Sequence, residues 1–129
     1  MRALLATATL VALTAGPVYA DCSYPPPPDK LPDGTTATKE EMLAGQETVR
    51  NYDKAINAYL ACIKLEHDGA VSKIGDKPST PEQKKALDDL ERVQIQKNNA
   101  AVDQLQAIAD RFNEQVRVFK AKHKDDPKS

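Results

Sequence analysis

The side chains of this 129-residue chain that could do chemistry are few: two cysteines, two histidines and several neighbouring carboxylates. Cys22 and Cys62 stand 40 residues apart. A dithiol redox centre needs CxxC spacing and a structural zinc site needs four ligands, and neither pattern occurs here. A nucleophile needs a base that a third group orients. His67 precedes Asp68 near the expected end of a helix, where it reads as a complement to the helix dipole. His123 falls in the solvated tail KAKHKDDPKS. Asp88-Asp89 and Asp125-Asp126 are adjacent in sequence, so on a helix they point apart and read as solvated faces. No HExxH, EF-hand loop, CxxCH or glycine-rich nucleotide loop is present, and GDKPST lacks the Walker spacing. The expectation is a protein that is not an enzyme, with no cofactor and no metal. Its cysteines then form a structural bridge.

The compartment follows from the first residues. Residues 1–20, MRALLATATLVALTAGPVYA, have a short positive start at Arg2, an uncharged apolar run from Ala3 to Ala15, and a break at Gly16-Pro17. Val18 and Ala20 are small residues at the −3 and −1 positions of a cleavage site. This is the pattern of a cleaved signal peptide. The run is shorter than the ~20 apolar residues of a membrane-spanning helix. Asp21 immediately before Cys22 fits lipoprotein processing poorly, so no stable membrane anchor is expected. The Ala-rich leader points to the bacterial periplasm or the outside of the cell. In such an oxidising compartment a lone pair of cysteines pairs with itself. A loop of 40 residues closed by a disulfide contributes roughly 3.5–4 kcal/mol in the chain-entropy model.

Loss of the leader removes Arg2, taking 18 basic residues to 17 against 19 acidic ones, a net charge of −2. Nucleic-acid binding needs a basic face that releases counterions, so it is not expected. With no Trp and only Tyr24, Tyr52, Tyr59, Phe112 and Phe119 beyond the leader, a large aromatic pocket is not expected either.

The elements that must position these residues are legible in order. Residues 21–38 form a Pro-rich extended arm, because Pro25 to Pro28 each fix φ and remove a donor, and Pro32-Asp33-Gly34 signals a turn. Residues 39–123 form a helical hairpin and 124–129 a disordered tail. Helix one starts at a Thr38/Glu41 capping box, carries Met42, Val49, Tyr52, Ile56, Tyr59 and Ile63 at helical spacing, and is expected to end near Asp68 with Gly69 as its stop. Gly45 lies on that apolar face. Residues 69–80 are expected to form a loop in which Val71 and Ile74 fold back over the helix ends. Helix two starts at Thr80-Pro81 with Gln83 closing a second box and continues to His123. Its Asp88/Arg92 and Glu114/Arg117 pairs support the exposed face, and its polar centre at Asn98-Asn99 is the place for a bend.

The fold class predicted is all-α: an antiparallel two-helix hairpin with a Pro-rich N-terminal arm strapped across it by Cys22–Cys62. Sixteen extended residues reach about 50 Å, enough for the arm to run back along the ~36 Å from Thr38 to Cys62, with Tyr24 and Leu31 as its apolar contacts. In the expected register Lys39 lies near Asp110. Phe112, Val116 and Phe119 then overhang helix one and form the candidate interaction surface, for self-association or a protein partner. A bend at Asn98 or an arm folded over the stripe would remove the overhang.

One resemblance is carried by the segment from Cys22 to Cys62. The order Cys22, the prolines, Pro32-Asp33-Gly34, Glu40, Glu41, Met42, Gln46, Val49, Tyr52 and Tyr59-Leu60-Ala61-Cys62 resembles small exported proteobacterial proteins of unknown function. It covers about a third of the chain and holds no catalytic motif. It implies envelope localisation and carries no activity over. The function expected is that of a non-enzymatic exported envelope protein acting through helix-mediated interaction, or else a small periplasmic chaperone-like or ligand-binding helical module.

Overall fold

Two threonines open the two helices. The Thr38 hydroxyl accepts the Glu41 N–H at 3.2 Å and the Thr80 hydroxyl accepts the Gln83 N–H at 3.2 Å. The Glu41 and Gln83 side chains accept the N–H of Thr38 and Thr80 in return, at 2.7 and 3.2 Å. These reciprocal bonds satisfy donors that a first turn leaves without partners. The computed structural model describes residues 22–75 and 77–124. It contains α1 (Lys39–Ile74) and α2 (Pro81–Lys122), with no strand among the described residues. The fold is an all-α hairpin with its N-terminal arm bridged to α1 by Cys22–Cys62, Cα to Cα 5.8 Å. The expected leader, residues 1–20, and residues 125–129 of the expected tail lie outside the described residues.

Helix α1 does not stop at Gly69. It runs on to Ile74 and ends at Gly75, whose φ of 99° is open to a residue without a Cβ and whose N–H reaches the Val71 carbonyl at 2.9 Å. A glycine inside a helix costs only about 0.5–1 kcal/mol. Around Gly69 the Lys64–Asp68 ion pair (2.6 Å) braces the turn, and Ala70, Val71 and Ile74 are half-buried. Val71 and Ile74 therefore extend the helix instead of folding back over its end. Helix α2 is continuous through Asn98-Asn99. Within the polar centre Asn98 is half-buried, and Ala101 on the same face is fully buried.

The extra turns change the register. With 36 and 42 residues the helices span about 54 and 63 Å. Lys39 lies beside Phe119 and Lys120, not Asp110. Phe112, Val116 and Phe119 do not overhang, and Phe112 is buried at 7% exposure.

The core seam follows a three-four alternation. Met42, Gly45, Val49, Tyr52, Ile56, Tyr59 and Ile63 face Ala101, Leu105, Ile108 and Phe112, with Ile56 and Ala101 completely buried. The arm closes one side of this seam as a strap and touches both helices. Tyr24 meets Tyr59 edge-on at 5.1 Å and its hydroxyl lies 3.5 Å from the Ala100 carbonyl. Leu31 packs against the core. Pro32 seats on Gly45, where an added Cβ would come within 2.5 Å of the proline ring. Gly34 lies on the α2 backbone, where an added Cβ would stand 2.1 Å from the Gln115 carbonyl oxygen. The Gly34 N–H donates to Gln115 Oε1 at 2.8 Å, and Lys122 donates to the Thr35 carbonyl. The Asp33 carbonyl accepts from Thr36 (3.1 Å) and Ala37 (2.7 Å), which turns the chain into α1.

These contacts separate the glycines by role. Gly34→Ala and Gly45→Ala will lower stability by about 1–3 kcal/mol through overpacking. Gly69→Ala, with nothing within 4 Å of its added methyl, will raise it by about 0.5–1 kcal/mol. Denaturant midpoints of the three variants read this directly. Reduction of Cys22–Cys62 will lower the melting temperature by more than ~10 °C in calorimetry, and an unchanged melt would exclude a load on the strap.

Candidate functional site

Most polar groups with chemical potential are already engaged. Both cysteines are in the disulfide. His67 does not sit at a helix end. It lies inside the longer α1, with Nδ1 3.5 Å from Asp68 and Nε2 3.4 Å from Glu91 of α2, where Nε2 is buried and makes no hydrogen bond. His123 is not in a frayed tail. It caps α2, its ring stacked on Phe119 at 4.2 Å and its Nδ1 2.9 Å from the Phe119 carbonyl. Arg92 pairs with Asp89 (2.9 Å) and not with Asp88, while Arg117 pairs with Glu114 as expected. The Lys85 and Arg92 side chains hold the Asp89 carboxyl below the usual range, the Lys64 ammonium does the same for Asp68, and the Thr35 hydroxyl and N–H do so for Asp33. Such carboxylates are weak bases on a solvated surface. Among the described residues no group of three or more His, Cys, Asp or Glu is placed to hold a metal ion.

Concave surface of a different character lies at the open end of the hairpin. There the first two turns of α1 meet the last three turns of α2 around a groove of about 770 Å³. The floor is apolar: Met42 and Leu43 from α1, and Phe112, Val116 and Phe119 from α2. The rim is basic: Lys39, Lys120, His123 and Lys124. Helical spacing produces both sets. Residues 39, 42, 43 and 46 share a face of α1, and residues 112, 116, 119, 120 and 123 share a face of α2. The strap leaves this groove open because it occupies another face of α2, that of Gln115 and Val118.

Among the described residues the rim carries only basic charge, and no carboxylate lines the groove. Glu41 of the same turn is held in the capping box. Lys39, Lys120 and Lys124 make no ion pair with any described residue. Lys120 also complements the negative end of the α2 dipole. Two further hollows, one along the strap beside Arg111 and Glu114 and one beside His67 and Asp68, carry charges of both signs.

Phe112, Val116 and Phe119 are thus brought together on one surface, Phe112 buried and the other two half-buried. The α1 half of that surface, Met42 and Leu43, was not singled out as a site in the sequence, because the shorter helix one placed it away from the stripe. The lysine rim was legible only as KAKHK following the stripe, a run that reads equally as a solvated tail.

Under the strap, Tyr52 is 5% exposed and its hydroxyl finds no partner of hydrogen-bonding geometry. Burial, and secondarily the nearby Tyr24 hydroxyl, push this phenol up to about 12. A proton held more tightly in the folded state stabilises the fold up to the unfolded phenol's value near 10, and that stabilisation is lost as pH rises from there through about 12. Tyr52→Phe will therefore leave neutral-pH stability unchanged or raise it by up to about 1 kcal/mol. It will also flatten the loss of stability between pH 10 and 12. Denaturant titrations at neutral and alkaline pH measure both effects.

No protein-family model matches this chain, and no curated protein or solved structure matches it.

Proposed function

We propose that this chain is a non-catalytic exported module of the bacterial envelope, of the kind seen in small exported proteobacterial proteins, and that it works by binding through the groove at the open end of its hairpin. The observation that carries this reading is the pairing of an apolar floor with three lysines that have no counter-charge among the described residues. Exposed apolar surface bordered by polar groups marks interaction sites. The disulfide is consistent with an oxidising compartment outside the cytoplasm. No helix among the described residues is long and apolar enough to cross a membrane. A non-catalytic role is supported by the engagement of both cysteines in the disulfide and of His123 in the cap of α2.

Self-association through this groove is the weaker form of the reading. Two copies meeting groove to groove would bring like charges together, which costs energy at a contact. An anionic partner relieves the same charges.

Hydrogen–deuterium exchange of the oxidised protein tests the location. The lipid and protein fractions of an envelope extract are added separately. One of them will slow exchange in residues 39–46 and 112–123 and leave residues 60–68 unchanged, and Val116→Asp will abolish the protection. Protection confined to the other end of the hairpin, or none from either fraction, would overturn the assignment.

A further inference from the structure

We infer that the occupant of the groove is a single-chain anionic amphiphile, an alkyl carboxylate of fatty-acid type bound as a monomer. This rests on the groove being the working surface and adds the chemistry of what fills it. Two observations select the class. The first is charge. Lys39 from α1, Lys120 from the last turn of α2 and Lys124 just beyond it line one groove, with no carboxylate among the described residues that line it. An anionic head satisfies them and a cationic or neutral head does not. The second is size. A groove of about 770 Å³ falls within the range of small-molecule sites, roughly 300–1,000 Å³.

The placement of the groups is that of head and tail. Met42 and Phe112 lie deep, each 7% exposed, while Leu43 is 57% exposed at the edge. The lysines are exposed and keep their charge in water. An acyl chain lying on Met42, Phe112, Val116 and Phe119 places its carboxylate among the lysines. Ligand release then uncovers apolar surface without unfolding either helix, because the disulfide and the core of Tyr52, Ile56, Tyr59, Ile63, Ala101 and Ile108 hold the scaffold away from the groove.

Isothermal titration of the oxidised protein tests this with sodium octanoate, decanoate and dodecanoate, each below its micelle concentration. Saturation at one ligand per chain is expected. The dissociation constant should tighten by up to about fourfold per added methylene, the equivalent of ~0.8 kcal/mol per buried CH₂. Decyltrimethylammonium should bind at least tenfold more weakly than decanoate. The exposed substitutions Lys39→Gln and Lys124→Gln together should weaken decanoate about tenfold with the melting temperature unchanged. Lys54→Gln, on the exposed surface away from the groove, should do neither. Leu43→Gln gives a second reading from the apolar side, weakening the longer chains more than octanoate.

Equal binding of the cationic amphiphile, the absence of a chain-length dependence, or no saturable binding would overturn the inference. So would binding only to anionic phospholipid vesicles, or only to an acidic amphipathic peptide. In those last two cases, exchange protection of residues 39–46 and 112–123 by an envelope fraction would persist and the groove would stand as the working surface. Loss of both results would remove the groove itself.

Discussion

Two antiparallel helices share a single seam, and a single seam leaves apolar side chains open to water on both of its sides. Everything else in this molecule depends on how one of those sides is closed. The closure is an extended arm, held at one end by Cys22–Cys62 and at the other by its covalent continuation into α1. Between these ends Tyr24, Leu31 and Pro32 lie on the core and Gly34 lies on the backbone of α2. From Cys22 to Pro32 the arm advances by ten residues while α1 runs from Cys62 back to Gly45, about 26 Å. That is close to the full reach of a polyproline chain, and the prolines favour it before folding. An arm whose unfolded form is already extended loses less conformational entropy when it is ordered.

The same closure sets where the molecule is open. By occupying the Gln115–Val118 face of α2, the strap covers one flank of the hairpin's open end and leaves the Phe112–Val116–Phe119 face uncovered. The groove there is assembled from both helix ends, so its shape depends on the register between them. That register is held along the whole seam and is compatible with a turn in which α1 continues to Gly75 before the chain reverses.

The polar groups divide along the length of the hairpin. Towards the turn, Lys97 pairs with Glu66 across the seam at 3.4 Å. At the open end the helices are joined by apolar contact and by the strap, and the lysines there have no counter-charge among the described residues. Surface ion pairs contribute little to stability. The asymmetry therefore matters less for holding the fold than for the field that the open end presents to an approaching ion.

Much of the architecture was legible residue by residue. Capping boxes at Thr38 and Thr80, three-four spacing from Met42 to Ile63, prolines that enforce extension and an isolated cysteine pair are local or pairwise features, and each acts through physics contained in a few neighbouring residues. The disulfide, both helix starts and the all-α hairpin followed from them. The end of α1 did not, because Gly69 is a stop only when nothing favours continuation. The half-burial of Ala70, Val71 and Ile74 against the rest of the hairpin outweighs its small helical cost. Nor did the partners of Gly34 and Gly45: a missing Cβ says that something comes close, and only the folded chain says what. From its sequence alone the protein determined that it forms two helices, where they begin and which two sulfurs pair. The tertiary structure decided the register, and with it whether Phe112, Val116 and Phe119 hang free or join Met42, Leu43 and three lysines. Register is a sum over the whole seam, and no single residue encodes it.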